Sequence, residues 1–485
     1  MASDFEIMPR RYEDYNKVLL TYTEDAILRY RITNINELLN NTKILLAMIK
    51  HHYRNQVPRL ETLENYYIGN NESILKGQRR RDKDKSDNRI RHSFANTISN
   101  FLNSYVIGNP VKIASNDEKF TELLDEFNLK NDIDAHNLEI GKDQNNLGRA
   151  YELLQRTEED QDKVYRLEPK EVFMIYDTTV RSRVIGACRY FPINSYELDN
   201  SKIKYLVELY TFDHIYRFEP IDINNAEHLV LPEDGIEEHY FNGVPIVEYR
   251  SDRFRMGVYE QQLSLIDAYD SAESDTANYM TDTNDALLVI EGRLQNAKDK
   301  KYVEGLRDAN ILILEPAEDS ITGATGTVKA QYLTKSYDVQ GVEAYKTRLR
   351  DDIFNLSSTP DLSDKSFSGN QSGEALKYKM YGLQQKRNDK ERFLSKGFRV
   401  RYKLLENIKR ATNEYTGEPV ELTFTYTPNL PKAYLEELQA FRNSGGQLSQ
   451  ETMLSLLSFI DSVDKEKERI ENEKEVNDIY SDIFD

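Results

Sequence analysis

A single cysteine in 485 residues, Cys188, rules out an internal disulfide framework and points to assembly in a reducing compartment. It sits in an apolar run, Val184-Ile185-Gly186-Ala187-Cys188. Long hydrophobic runs are also lacking. Stretches such as Ile44-Leu45-Leu46-Ala47-Met48-Ile49 fall far short of the about 20 apolar residues that a membrane-spanning helix needs. The first ten residues show no basic segment leading into an apolar one. These absences predict a soluble protein made in the cytoplasm, with no membrane partner.

Recognisable chemistry is missing too. The seven histidines are scattered, and the adjacent His51 and His52 diverge on a helix where an i, i+4 pair would share a face, so they do not read as metal ligands. There is no Gly-x-Ser-x-Gly elbow, no Cys/His nucleophile pattern and no Walker A sequence. The loop Gly323-Ala324-Thr325-Gly326-Thr327 lacks the Lys-Ser/Thr of a phosphate-binding turn and reads as a hairpin tip. No cofactor, metal or catalytic residue is expected, and the chain does not read as an enzyme. A metal-dependent nuclease would have to draw its carboxylates from positions that no motif marks.

Positive charge is in deficit: 64 Lys/Arg against 83 Asp/Glu give a net charge of −19. Tight nucleic-acid binders gain affinity by neutralising phosphates, so this balance argues against one of them. It suits a protein past which DNA slides, because strong phosphate contacts would hinder sliding.

With 39% hydrophobic and 30% charged residues, the chain is globular but polar, and its length allows roughly three domains. Residues 1–34 are charged, rich in tyrosine and without periodicity, and read as an arm. Helices are predicted across 35–69, with Gly69 as the stop. Residues 78–91 carry seven basic and three acidic side chains, either as a solvated connection or as a contact for DNA or an acidic neighbour. Ile90, Phe94, Ile98, Phe101, Leu102 and Tyr105 make one helical face over 90–106, which Gly108-Asn109-Pro110 ends. Two short helices are predicted at 117–128 and 131–146. Strands are then predicted at 150–155, 163–168, 184–191, 203–210 and 246–250.

A helix is expected over 258–283. Leu263, Ile266, Tyr269 and Ala272 make its apolar line, and Asp267, Asp270 and Glu273 a carboxylate line. Ser271, Ala272, Ser274, Thr276 and Ala277 are all small. Such a helix is either an ordinary surface helix or one packed closely against copies of itself. A small module follows over 286–336, with strands at 286–290 and 311–315 around a charged helix near 296–308. A second helix, 337–356, returns from it.

The most telling stretch is 357–383, where a polar, glycine-bearing loop runs into a basic helix predicted to reach residue 412. Between Lys377 and Arg410 that helix carries twelve Lys/Arg against three Asp/Glu, so it needs either acidic neighbours or exposure toward DNA. Gly382 and Gly397 are its expected bending points. Helix, exposed loop and long helix in this order suggest a device that touches something moving past it. A strand at 420–426, the break Thr427-Pro428-Asn429-Leu430-Pro431 and a helical end complete the chain, and residues 461–485 carry ten acidic and four basic side chains.

Six segments in this order resemble the portal, or head-to-tail connector, proteins of long-tailed, siphovirus-type bacteriophages. They are Tyr66-Tyr67-Ile68-Gly69; Asn88-Arg89-Ile90 leading to Tyr105-Val106-Ile107-Gly108-Asn109-Pro110; Gly243-Val244-Pro245-Ile246-Val247-Glu248-Tyr249; Leu265-Ile266-Asp267-Ala268-Tyr269-Asp270; Ser372-Gly373-Glu374-Ala375-Leu376-Lys377-Tyr378-Lys379; and Tyr426-Thr427-Pro428-Asn429-Leu430-Pro431. The resemblance implies an α+β, mostly helical portal fold whose wing, stem, clip and crown regions assemble as a ring around a central channel. Residues 1–34 would be an arm, 35–257 the wing, 258–283 and 337–356 the two stem helices, and 284–336 the clip. Residues 357–373 would be the tunnel loop, 374–431 the long wing helix and strand, and 432–485 the helical crown with its acidic tail.

The implied function is a channel at one capsid vertex for packaging and ejecting double-stranded DNA. The partners are further copies of the chain, a dodecamer in the virion, the terminase packaging motor, a head-completion adaptor, and capsid and scaffold proteins. The location is the virion, with assembly in the host cytoplasm. In the tunnel loop, Lys365 would contact phosphate, Ser366, Ser368 and Asn370 would offer weak hydrogen bonds, and Phe367 a steric contact, with Asp364 and Gly369 completing it. The same loop could instead lie tucked between subunits. Leu263, Ile266, Tyr269, Ser271, Ala272 and Ala277 would pack the stem. A metal-dependent nucleic-acid-processing enzyme of the vertex and a structural adaptor without a channel are the alternatives.

Overall fold

Between residues 149 and 250 apolar and β-branched side chains fall in short runs bounded by Asp, Asn, Gly and Pro, and there the chain forms most of its sheet. The computed structural model describes residues 24–76, 86–194, 196–197, 203–282, 338–361 and 380–429, with short pieces between 287 and 333 and isolated positions between 449 and 473. The chain divides into two compact units, Met1–Thr427 and Pro428–Asp485. In the second unit, Leu454 and most of the described positions from 466 to 473 are helical.

The strands of the first unit, up to residue 250, are β1 Tyr30–Arg31, β2 Lys112–Ser115, β3 Arg149–Arg156, β4 Asp162–Leu167, β5 Val172–Tyr176, β6 Val184–Pro192, β7 Tyr205–Tyr210, β8 His214–Ile221, β9 Ile236–Glu238 and β10 Ile246–Arg250. One sheet has the order β1-β5-β6-β7-β8-β9, and a second has the order β10-β3-β4. β5 is buried at all five positions because it feeds two cores. Phe173 and Ile175 point to the core under helices α1 (Asn36–Asn40) and α2 (Thr42–His51), with Leu38, Leu45 and Ile49. Val172, Met174 and Tyr176 point the other way, to Tyr151, Leu153 and Ile246 of the second sheet. A strand covered on both faces shows no alternation, which is why its sequence did not announce it. Tyr30–Arg31, inside the segment read as an arm, pair in parallel with Ile175–Tyr176.

The adjacent histidines do diverge. His51 Nδ1 lies 3.0 Å from the Tyr30 hydroxyl, and the buried His52 Nδ1 lies 2.6 Å from that of Tyr190. Cys188 is fully buried, and burial pushes its thiol pKa up. A one-turn widening at His52–Gln56 separates α2 from α3, Val57–Tyr67. α3 is followed by Gly69 at φ +77°, a left-handed end that glycine adopts without strain. α4 is the short Glu72–Leu75.

α5 runs over Phe94–Ile107, so the predicted start at residue 90 is four residues early; Ile90 belongs to an extended segment described below. α6 (Glu118–Lys130) is capped by Asp117, whose carboxylate accepts the Phe120 N–H at 2.9 Å. α7 (Ile133–Leu147) ends at Gly148, φ +75°, where a Cβ would lie 1.9 Å from the Arg255 carbonyl oxygen.

α8 is Leu263–Asp282, α9 is Val339–Leu356 and α10 is Tyr381–Ala411. The 31 residues of α10 make a rod of about 46 Å. Its apolar stripe of Leu394, Phe398, Tyr402, Leu405 and Ile408 packs with Leu102, Phe120, Phe127 and Tyr249 into the largest core. Gly397, read as a bending point, is a place of close approach: a Cβ there would sit 2.2 Å from the Tyr249 ring. β15 (Leu422–Thr425) pairs antiparallel with β2, a half-exposed partner that the sequence did not suggest.

Between α8 and α9, β11 (Leu287–Glu291) pairs antiparallel with β14 (Lys329–Leu333), and β12 (Arg293–Leu294) with β13 (Leu314–Glu315). The glycine loop at 323–327, and the charged helix near 296–308 apart from Lys301 and Tyr302, lie outside the described residues.

Candidate functional site

α8 buries Leu263, Ile266, Asp267, Asp270, Ser274 and Asn278, a stripe with helical spacing whose upper half is polar. Leu263 and Ile266 join Leu60, Tyr66, Ile98 and Ile353 in one core. The polar half holds an extended strap, residues 86–93, by its backbone. The Asn88 N–H donates to Asn278 Oδ1 at 2.6 Å, the Ile90 N–H to Ser274 Oγ at 2.9 Å, and the His92 N–H to Asp270 Oδ1 at 3.0 Å. Two residues of extended chain advance about 6.6 Å and four of helix about 6 Å, so the match repeats down the helix.

The carboxylates are drawn further in. Asp267 accepts from the Tyr66 hydroxyl at 2.6 Å and from Ser73, and Asp270 from Asn71 and the His92 ring. Burial pushes Asp267 up to about 6, against the pull of Ser73 and Tyr66. It raises Asp270 as well, against His92 and Asn71. The carboxylate line read from the sequence is therefore split. Asp267 and Asp270 hold the strap and the segment before it, while Glu273 meets Lys346 of α9 at 3.3 Å.

Among the residues expected to pack the stem, Leu263 and Ile266 are buried within this chain. Tyr269 is half-buried edge-on to Phe94 and His92, and Ser271, Ala272 and Ala277 are half-buried. The residues that sequence reasoning missed are Ser274 and Asn278. The signal for them was the spacing of 3, 4 and 4 from Asp267 through Asp270 to short hydrogen-bonding side chains. Asp270→Ala is expected to lower stability by about 2 kcal/mol, within the range for a hydrogen bond to a charged group. Amide hydrogen exchange should speed up selectively at Asn88, Ile90 and His92, and uniform exchange would contradict the strap.

α9 starts at Asp338, whose Oδ1 accepts the Gly341 N–H at 2.9 Å, and packs Ile353 and Phe354 against α5 and α8. Beyond its end the chain is tied down on both sides of the predicted loop. Lys386 Nζ donates to the Ser357 carbonyl at 2.6 Å, satisfying an end that favours cations. Arg350 lies 3.4 Å from Asp361, and a Cβ on Gly382 would be 3.3 Å from Ser358. The segments before residue 362 and after residue 379 thus adjoin. The predicted contact residues Asp364, Lys365, Ser366, Phe367, Ser368, Gly369 and Asn370 lie outside the described residues.

The basic charge of α10 is largely spent within the chain. Arg387 pairs with Glu391, Arg410 with Glu406, Lys409 with Asp162 and Glu414, and the buried Arg401 with Glu152. Lys390 is different: it is buried, its Nζ has no hydrogen-bond partner among the described residues, and burial pushes it down to about 7. Between that value and the ordinary lysine value near 10.4 the unfolded chain holds the extra proton, so stability rises with pH across this window. Lys390→Met is expected to raise the thermal midpoint most at pH 6 and by a vanishing amount at pH 11. An equal shift at both would show that charge is not the cause.

The chain belongs to the phage portal protein family of the SPP1 Gp6-like type, whose model matches residues 46–479 and so takes in all six segments of the resemblance. That family is structural, and its members are components of the virion. The chain is 24% identical to the portal protein of Bacillus phage SPP1, over 89% of its own length and 86% of that protein. It is 23% identical to the portal protein of Clostridium phage phiCD119, over 85% and 92%. A chain from the virion of a native gene transfer agent particle matches 83% of it at a TM-score of 0.42 and 10% identity, too distant to bear on function.

Proposed function

We propose that copies of this chain form a ring, a dodecamer in the virion, at one capsid vertex. Double-stranded DNA would be packaged through its channel by an external terminase motor and would later leave by the same route. Family membership across 46–479 carries this reading. In it, residues 258–283 and 337–356, which hold α8 and α9, are the stem, and residues 284–336 are the clip that meets the motor and then the head-completion adaptor. Residues 357–373, which follow the Ser357 anchor, are a tunnel loop reaching the DNA. Two features support this assignment. The loop has a fixed base, since its flanking segments adjoin and are bonded to each other. The net charge of −19 limits adhesion of DNA to the wall.

Capsid shells assembled with and without the chain, then supplied with motor, ATP and DNA, test the reading. Nuclease-protected DNA should appear only in shells containing the chain. Equal protection in its absence would refute the proposal.

A further inference from the structure

A groove of about 780 Å³ opens between the outer face of α10, the β5–β6 turn and the segment leading into β10. Its lining holds six cationic side chains, Arg29, Arg181, Arg250, Lys396, Arg399 and Lys403, against one carboxylate, Glu248. That carboxylate is already taken, since Arg255 Nε donates to it at 2.6 Å. Of the six cations, Lys403 pairs with Glu406, whereas the other five have no carboxylate partner among the described residues. Burial first, and then the neighbouring Arg255, Arg31 and Arg250, push the Arg29 guanidinium pKa down.

The groove also has apolar walls. Met174, Val244, Ile246 and Leu404 form a floor that is itself buried, and the accessible apolar surface is that of the half-buried Phe393 and, on the rim, of Val180, fully exposed, and Val400, 47% exposed. Arg250 and Lys396 lie over the Phe393 ring and Arg399 over Phe424, but in a chain of net charge −19 whose other α10 cations are mostly paired, this concentration of cations without carboxylate partners is an exception that calls for a partner.

We infer that this groove is a docking site for an acidic peptide segment of another protein, one that alternates carboxylates with apolar side chains. The carboxylates would meet Arg29, Arg181, Lys396 and Arg399, and the apolar side chains would cover Phe393 and Val400. A nucleic-acid backbone would satisfy the cations but leave Phe393, Val180 and Val400 wet, so charge and hydrophobicity together favour the peptide. The inference stands on the groove alone and does not depend on the channel reading.

The test selects short random peptides displayed on ribosomes against the full-length chain, then measures the winners by fluorescence anisotropy. The enriched peptides should be net acidic with apolar residues at every second or third position. Lys396→Glu combined with Arg399→Glu, both solvent-exposed, should weaken them at least about tenfold, and Val400→Asp should weaken them separately. Circular dichroism melts check that each variant is folded.

Four results would overturn the inference. The first is selected peptides that are neutral or basic. The second is binding indifferent to both sets of variants. The third is poly-glutamate or a short DNA duplex binding as tightly and responding to the same charge reversal. Loss of self-association in the charge-reversed variant would assign the groove to a second copy of the chain, and would overturn it as well.

Discussion

Glu152→Gln is expected to destabilise the chain by about 3–5 kcal/mol, the cost of breaking a buried ion pair from one side. Glu152 and Arg401 are both fully buried, and Arg401 donates to the carboxylate through Nε at 2.8 Å and Nη2 at 2.5 Å. The Tyr249 hydroxyl donates to it at 2.7 Å, the His136 ring meets it at 2.9 Å, and Arg401 Nη1 reaches Asn137 at 2.8 Å. One carboxylate on β3 thereby ties down α7, β10 and the middle of α10. A glutamine would place an N–H against the guanidinium and leave a buried cation without its charge partner. Arg401→Met is expected to cost a comparable amount, because it strands the carboxylate instead. Replacing the pair together by apolar residues should be the mildest change.

The pH dependence carries the same signature. Burial alone would raise the Glu152 pKa, but Arg401 and His136 outweigh it and hold the group at about 2. A carboxylate depressed on folding contributes its stability in full above the unfolded value near 4.3, and loses it as pH falls through the folded value. The gap between wild type and Glu152→Gln in urea unfolding should therefore be full at pH 7 and should close between about pH 4.5 and pH 2. A gap independent of pH would show that the loss is one of packing.

Deleting residues 365–370 is the change with the largest expected effect on function: particles should still assemble, but packaging should fall to the level of shells without the chain. Assembly is spared because the contacts that hold the base, Lys386 with Ser357 and Arg350 with Asp361, use none of the deleted residues. Packaging suffers because, in the proposed channel, these residues are the ones that touch DNA. Lys365→Ala alone should have a smaller effect, since phosphate contacts are distributed and individually weak. Normal packaging by well-formed deletion particles would remove the loop from the mechanism.

The strands β3, β6 and β10 were legible from apolar runs bounded by turn residues, although β3, like β5, is buried along most of its length. β5 was hidden by burial on both faces, and β2 by being short and completed only by β15, some three hundred residues away. The helix α8 was legible as a helix, but not the use of its polar stripe. The roles of Asp270, Ser274 and Asn278 were hidden because their partners are backbone N–H groups of the strap, and a backbone donor leaves no mark in sequence. The basic rod was legible as a charge excess in need of company. That its company was mostly within the chain depended on tertiary contacts such as Arg401 with Glu152 and Lys409 with Asp162.

In the proposed function, copies of this chain enclose a DNA-wide channel. Electron microscopy of the purified protein, with class averages viewed down the particle axis, tests it most directly. Closed rings with a central hole wide enough for duplex DNA are expected. Compact dimers or channel-less discs, persisting when capsid and scaffold proteins are added, would contradict it.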